Sequence, residues 1–237
     1  MFKAPGNKMS LLTYRFYCFK NDHMSEGISI VIANNNQAEE LKRLLLSISI
    51  ASKKFSGSYE IIIVADGKPL EIDKEFIERE NVKYYQNTKN LGPGLTRHFG
   101  VTKSQFDIIF FIDSDTEINC DFLNIIENNL RKKPIDGIIG VTEDLPLNES
   151  SITAKYIAAE TNFYGNNCNI DTHQFFIGLC GAIKKNVYLN NLGFFHRYID
   201  DMEFSSRLQK DIQIQTRKDL TFKHSYSNLI INFKNYF

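Results

Sequence analysis

Asp107-Ile108-Ile109-Phe110-Phe111-Ile112-Asp113-Ser114-Asp115 decides how this chain folds. The unbroken apolar run from Ile108 to Ile112 reads as a strand buried on both faces, because a half-buried strand would alternate with polar residues. It stops at two carboxylates one residue apart. Two similar runs lie upstream, Ile28 to Ala33 (ISIVIA) and Tyr59 to Ala65 (YEIIIVA). Between them, Leu41, Leu44, Leu45 and Ile48 recur at helical spacing within Gln37 to Ser52. Further helices are expected near Ile72 to Glu80, at Pro93 to Lys103 with proline in the first turn, and at Asp121 to Lys132. A short strand is expected at Val82 to Gln86. Strand–helix alternation with short connections predicts an α/β domain with a mostly parallel central sheet flanked by helices. Past Gly137 the alternation weakens to a strand at Ile138 to Thr142, a helix at Ser151 to Asn162, an extended stretch at Phe175 to Ile183 and a helix at Asp200 to Lys210. Residues 1–26 have no clear periodicity and read as an N-terminal extension, with Met24 as an alternative start; residues 27–237 read as one domain.

Composition narrows the function. Lys plus Arg number 28 and Asp plus Glu 28, so the net charge is zero and nothing global points to nucleic acid. Four cysteines, Cys18, Cys120, Cys168 and Cys180, form no CxxC pair and read as free thiols in a reducing compartment. No apolar run approaches the ~18–20 residues of a membrane span. Leu11 to Phe19 carries Arg15 and no small-residue cleavage site follows it, so it does not read as a secretory signal. The expectation is a cytoplasmic protein without a transmembrane segment, at most peripheral to the inner face of a membrane.

Asp113 and Asp115 carry the strongest local signal. Ligands gather at the carboxyl ends of strands in open α/β sheets, and carboxylates there suit Mg²⁺ or Mn²⁺ bridging a diphosphate. A solvated acidic turn or helix cap is the plainer alternative, at even odds for the pair alone. Asp66-Gly67 ends the second buried run, either as a simple turn or as an acceptor for a base N–H. Asn90-Leu91-Gly92-Pro93-Gly94-Leu95-Thr96-Arg97 leads into a helix; it is either a capping loop with a solvated arginine or a phosphate cradle with Arg97 as its cation. Asp200, Asp201 and Glu203 open a later helix, complementing its dipole or supplying a general base. Phe163, Tyr164, Phe194, Phe195 and Tyr198 are either sugar-stacking faces or, at two chances in three, core. The apolar-polar alternation of Leu229 to Phe237 reads as a cover for the core, ahead of contact with lipid or a partner.

Taken in order, ISIVIANNN, EIIIVADG, NLGPGLTRHFG, FFIDSDTEI, FFIGLCGAIKKNVYLNNLGFF and YIDDMEFSSRLQKD resemble glycosyltransferase family 2, over residues 27 to 224. The resemblance implies a GT-A fold with a nucleotide-sugar-binding half, 27–118, and an acceptor-binding half, 119–237. It implies a metal-dependent, inverting transfer of a sugar from a nucleoside diphosphate, with uridine diphosphate as the default, to a hydroxyl of a glycan, lipid-linked or protein acceptor. Ala33, Asn34 and Asn35 would lie along base and ribose, Asp66 would contact the base, and Asn90, Gly92 and Arg97 would sit near the nucleotide. Asp113 would lie near the ribose and Asp115 would hold the metal, Mn²⁺ or Mg²⁺, with Asp113 and His224 as further ligands. The match of His224 is loose, and a surface histidine is the plainer reading of it. Asp201 would be the catalytic base beside Asp200.

Several positions depart from the family pattern. Ala65 stands where a first aspartate is usual, His98 replaces an asparagine, Asp200 replaces a glutamate, and Phe194-Phe195-His196 replaces Gly-Phe-Asp. Two rivals stay open: a non-catalytic sugar- or nucleotide-binding scaffold, and a nucleotidyltransferase, although Asn34 to Gln37 lacks that class's glycines and bases. A dinucleotide oxidoreductase is poorer, since no GxGxxG follows the first strand.

Overall fold

The computed structural model describes residues 25–71, 75, 78, 81–167, 175–196 and 199–226. The expected extension up to residue 24, the expected helix at 72–80 apart from Glu75 and Glu78, Cys18, Cys168, Tyr198 and the segment from Leu229 to Phe237 lie outside these residues. In chain order the strands are β1 (Ser25–Asn34), β2 (Tyr59–Ala65), β3 (Val82–Gln86), β4 (Phe106–Ile112), β5 (Thr116–Ile118), β6 (Gly137–Thr142), β7 (Cys180–Lys184) and β8 (Ile214–His224). The helices are α1 (Ala38–Ser52), α2 (Pro93–Thr102), α3 (Phe122–Lys132), α4 (Ile152–Asn167), α5 (Lys185–Asn190) and α6 (Asp200–Arg207).

All eight strands join one sheet in the order β3-β2-β1-β4-β7-β6-β8-β5. β1 pairs in parallel with both β2 and β4, and β2 with β3. β7 runs antiparallel between β4 and β6, and β8 lies parallel to β6. Two reversals therefore bring β6 and β8 back into the direction of β4. The carboxyl ends of β1, β2, β4, β6 and β8 open on the same sheet edge.

Side chains alternate across each strand, and both faces are covered. Ile28, Ile30, Ile32, Phe110 and Ile112 pack against Leu41, Leu44 and Ile48 of α1 and Phe122 and Ile126 of α3. Val31, Ile62, Val64, Ile109 and Phe111 face the other way, toward Val101 of α2, Tyr188 of α5 and Phe204 of α6. This double covering is why the strands are continuous apolar runs. Phe111 anchors an aromatic cluster, with ring centres 5.3 Å from Tyr188 and 5.1 Å from Phe194. A fully buried phenylalanine of this kind contributes on the order of 1.5–3 kcal/mol. The stretch expected to be extended over Phe175 to Ile183 becomes a strand only at Cys180, because Gly178 and Leu179 form a turn.

Candidate active site

β1 has β2 on one side and β4 on the other, so the order of strands reverses there. Such a switch point opens a crevice beyond the strand ends. A cavity of about 630 Å³ lies in it, walled by Ala33, Asn34, Asn35, Gln37, Asp66, Asn90, Gly92, Pro93, Arg97, Asp113, Ser114 and Asp115. Segments following four different strands, β1 to β4, thus bring together most of the residues singled out in the sequence.

Asp66 follows β2 and is 5 % exposed. Its Oδ1 accepts the Leu91 N–H at 2.8 Å and its Oδ2 the Gly92 N–H at 2.9 Å. Asn87 Nδ2 donates to the same Oδ1 at 3.1 Å. The carboxylate therefore shapes the Asn90–Gly92 loop while remaining on the cavity wall. Gly67 permits the close approach: its φ is +89°, and a Cβ there would meet the Asn90 nitrogen at 2.6 Å. On the β1 side, the Asn34 side chain closes a turn through bonds to Gln37 N and O, at 3.2 and 3.0 Å.

The Asp113-Ser114-Asp115 turn is fixed on three sides. The Asp113 N–H donates to Leu179 O, Thr116 Oγ1 donates to Asp113 O, and Ser114 Oγ donates to Gln37 Oε1 at 2.6 Å. β5 then pairs with β8, placing His224 opposite Thr116. As a result Asp113, Asp115 and His224 offer ligand atoms that all lie within 4.8 Å of one another. His224 Nε2 is 3.2 Å from Asp115 Oδ1, while its Nδ1 is buried without a hydrogen-bond partner. Burial holds the Asp113 carboxyl above its ordinary pKa, with Asp115 adding to the rise and Arg97 opposing it.

Arg97 is neither solvated nor free to swing. Its side chain is 6 % exposed, and Nη1 donates to Asp200 Oδ2 at 2.6 Å while Nη2 donates to Asp113 Oδ1 at 2.5 Å. Burial works against its charge, but Asp113 and Asp200 outweigh that and raise its pKa. The next residue of α6, Asp201, accepts the Gly178 N–H at 2.8 Å. Burial, then the charge of Asp200, push its carboxyl up to about 6, against the pull of Arg97 and the Gly178 N–H. The third acid, Glu203, pairs instead with Arg207 at 2.6 Å. The three acids at this helix start therefore have three separate jobs.

A family model described as glycosyl transferase family 2 matches residues 29–191, more than two thirds of the chain. The chain belongs to glycosyl transferase family 2. Poly(ribitol-phosphate) beta-N-acetylglucosaminyltransferase TarP of Staphylococcus aureus (strain N315) is 29 % identical over 119 residues, 48 % of this chain and 36 % of that protein. Poly-beta-1,6-N-acetyl-D-glucosamine synthase of Staphylococcus epidermidis is 28 % identical over 157 residues, 65 % of this chain and 35 % of that protein. The chain thus spans about a third of the length of these relatives. Crystal structures of S. aureus TarS 1-349 share the fold: the complex with UDP-GlcNAc superimposes with a TM-score of 0.63 at 14 % identity, covering 85 % of this chain and 59 % of that one. The UDP complex also gives 0.63, at 16 % identity, covering 84 % and 60 %.

Within this family 2 fold the expected GT-A arrangement of a mostly parallel sheet and flanking helices is present. Gln37, Ser114 and the Gly178 N–H escaped the sequence reading. The side chains of the first two carry no charge and bond to each other across the fold, and a backbone donor leaves no mark in side-chain chemistry. Aromatic residues of the second half divide. Phe194 is fully buried in the core, whereas Phe163 and Tyr164 are both 59 % exposed. His98 is also core: it is 7 % exposed, with Nδ1 3.2 Å from the Tyr188 hydroxyl, and burial followed by Arg207 lowers its pKa to about 4. Cys120 and Cys180 are free thiols. No helix among the described residues is long and apolar enough to cross a membrane.

Proposed function

We propose that the chain is an inverting, metal-dependent glycosyltransferase that moves a sugar from a uridine diphosphate donor to an acceptor hydroxyl, in the synthesis of a surface polysaccharide or other glycan. The observation that carries the reading is the meeting of Asp113, Asp115 and His224 beside a polar cavity at the switch point of the sheet. Two carboxylates suit a hard divalent cation, and an imidazole nitrogen in the same set favours Mn²⁺ over the oxygen-seeking Mg²⁺. Such an ion would neutralise charge on the donor's diphosphate.

The protein's own groups do the remaining work. Ala33, Asn34, Asn35 and the loop shaped by Asp66 line the space for base and ribose. Asp201 accepts the proton of the acceptor hydroxyl. The oxygen then attacks the anomeric carbon from the face opposite the diphosphate, the bond to the diphosphate breaks, and configuration inverts. A carboxyl pushed up to about 6 is a better base than a surface aspartate and is still mostly ionised at neutral pH. TarP and the S. epidermidis synthase are both named for N-acetylglucosamine, and TarS was crystallised with UDP-GlcNAc, so UDP-N-acetylglucosamine is the first donor to test. The same reading puts the reaction on the cytoplasmic side, free or at the inner face of the membrane, with a glycan, lipid-linked or protein acceptor.

The test is hydrolysis and transfer of radiolabelled UDP-N-acetylglucosamine with Mn²⁺, comparing wild type with Asp201→Asn. Turnover should fall at least a hundredfold while the donor still binds. Equal turnover in both proteins would remove Asp201 from the mechanism.

A further inference from the structure

Resting on the transferase reading, we infer that Arg97 is a positioning residue: with Gly94, it locks the base-bearing start of α6 against the aspartate turn after β4, instead of serving the donor's phosphates. Two independent observations carry this. The first is the ion bridge, in which one buried guanidinium spans Asp113 and Asp200. These partners lie 16 and 103 residues away in the chain, one in the turn after β4 and the other at the start of α6. Asp200 is 5 % exposed, so without a cation its carboxylate would be a buried, uncompensated charge. It would have to move or take up a proton, and Asp201 is the next residue.

The second observation is steric. At Gly94, one turn before Arg97, a Cβ would stand 2.1 Å from the His196 carbonyl oxygen and 2.5 Å from Asp200 Cβ. No flexible side-chain end could yield there, since one of these atoms is backbone and the other sits on the backbone. Only glycine lets α2 approach α6 closely enough for Arg97 to reach Asp200. A phosphate-binding arginine has no need of such an approach. Both observations point to one task, holding Asp201 at a fixed place relative to Asp113.

The two roles predict opposite kinetic signatures. The experiment compares Arg97→Lys and Gly94→Ala with wild type, measuring UDP-N-acetylglucosamine Kd by calorimetry with Mn²⁺ and kcat for donor hydrolysis. Positioning predicts that both variants keep donor Kd within about threefold of wild type while kcat falls about tenfold or more. Lysine should retain more of kcat than Arg97→Met, because it keeps one of the two ion pairs. A rise in donor Kd of tenfold or more in Arg97→Lys, with Gly94→Ala behaving as wild type, would overturn the inference and return Arg97 to the phosphates. Wild type that neither binds nor hydrolyses any nucleotide sugar would overturn it together with the transferase reading. An active wild type with unchanged kcat in both variants would overturn the positioning role alone.

Discussion

The Asp201 carboxyl is held in a place that suits a base better than it suits a stable fold. Burial and its neighbour Asp200 raise it from an unfolded value near 3.8 to about 6. Between pH 4 and 6 the native chain keeps a proton that the unfolded chain releases, so stability declines as pH rises through that window. At neutral pH this costs ~1–3 kcal/mol. Asp201→Asn should therefore raise the melting temperature at pH 7.5, and the gain should shrink to nothing by about pH 4, as read by thermal denaturation across pH. In the wild type, kcat/KM should climb with pH through about 6 and then level off, since the base works only when ionised. A profile flat from pH 5 to 8 would exclude Asp201 as the base. At this scale the sequence was informative wherever chemistry sat next to a strand end: Asp66, Asp113 and Asp115 each follow a buried apolar run. Arg97 was legible as a candidate but not as a bridge, because its partners are fixed by the packing of α2 on α6. His224 was the loosest match, since only the β5–β8 pairing brings it to Asp115.

Elements decide whether these residues meet. The Asn90–Gly92 loop is held by two hydrogen bonds to Asp66, which also accepts one from Asn87, and Asp66→Ala would leave the Leu91 and Gly92 N–H groups without their acceptor. A loss of ~1–3 kcal/mol in stability is expected, together with weaker donor binding, and Asp66→Asn should lose less. Denaturant unfolding and donor titration of the two variants check this; donor affinity lost at unchanged stability would show that Asp66 acts on the nucleotide alone. β1, β2, β4, α1 and α3 were readable because long runs of one period leave little choice between strand and helix. β5 has three residues and α5 six, too few for a period to show. β8 carries Arg217, Lys218 and Asp219 in its middle, where its register against β6 shifts, so its apolar pattern is broken.

Across the whole molecule, the Asp113–Asp115–His224 cluster joins segments far apart in the chain: Asp113 and Asp115 follow β4 and lead into the edge strand β5, and His224 ends β8, the strand beside it. A cation bound there would tie these segments together, and anything that binds only the native state stabilises it by mass action. Millimolar Mn²⁺ should raise the wild-type melting temperature by a few degrees and leave Asp115→Ala and His224→Ala unmoved. The strand order that produces this closure could not be read from sequence, because β7 enters between β4 and β6 from a point far along the chain. Calorimetric titration of UDP-N-acetylglucosamine into wild type and Asp115→Ala, each with Mn²⁺ and with EDTA, bears most directly on the central claim. Binding by wild type with Mn²⁺, lost in EDTA and lost in Asp115→Ala, is the expected result; no binding under any condition, or binding indifferent to both EDTA and Asp115→Ala, would contradict it.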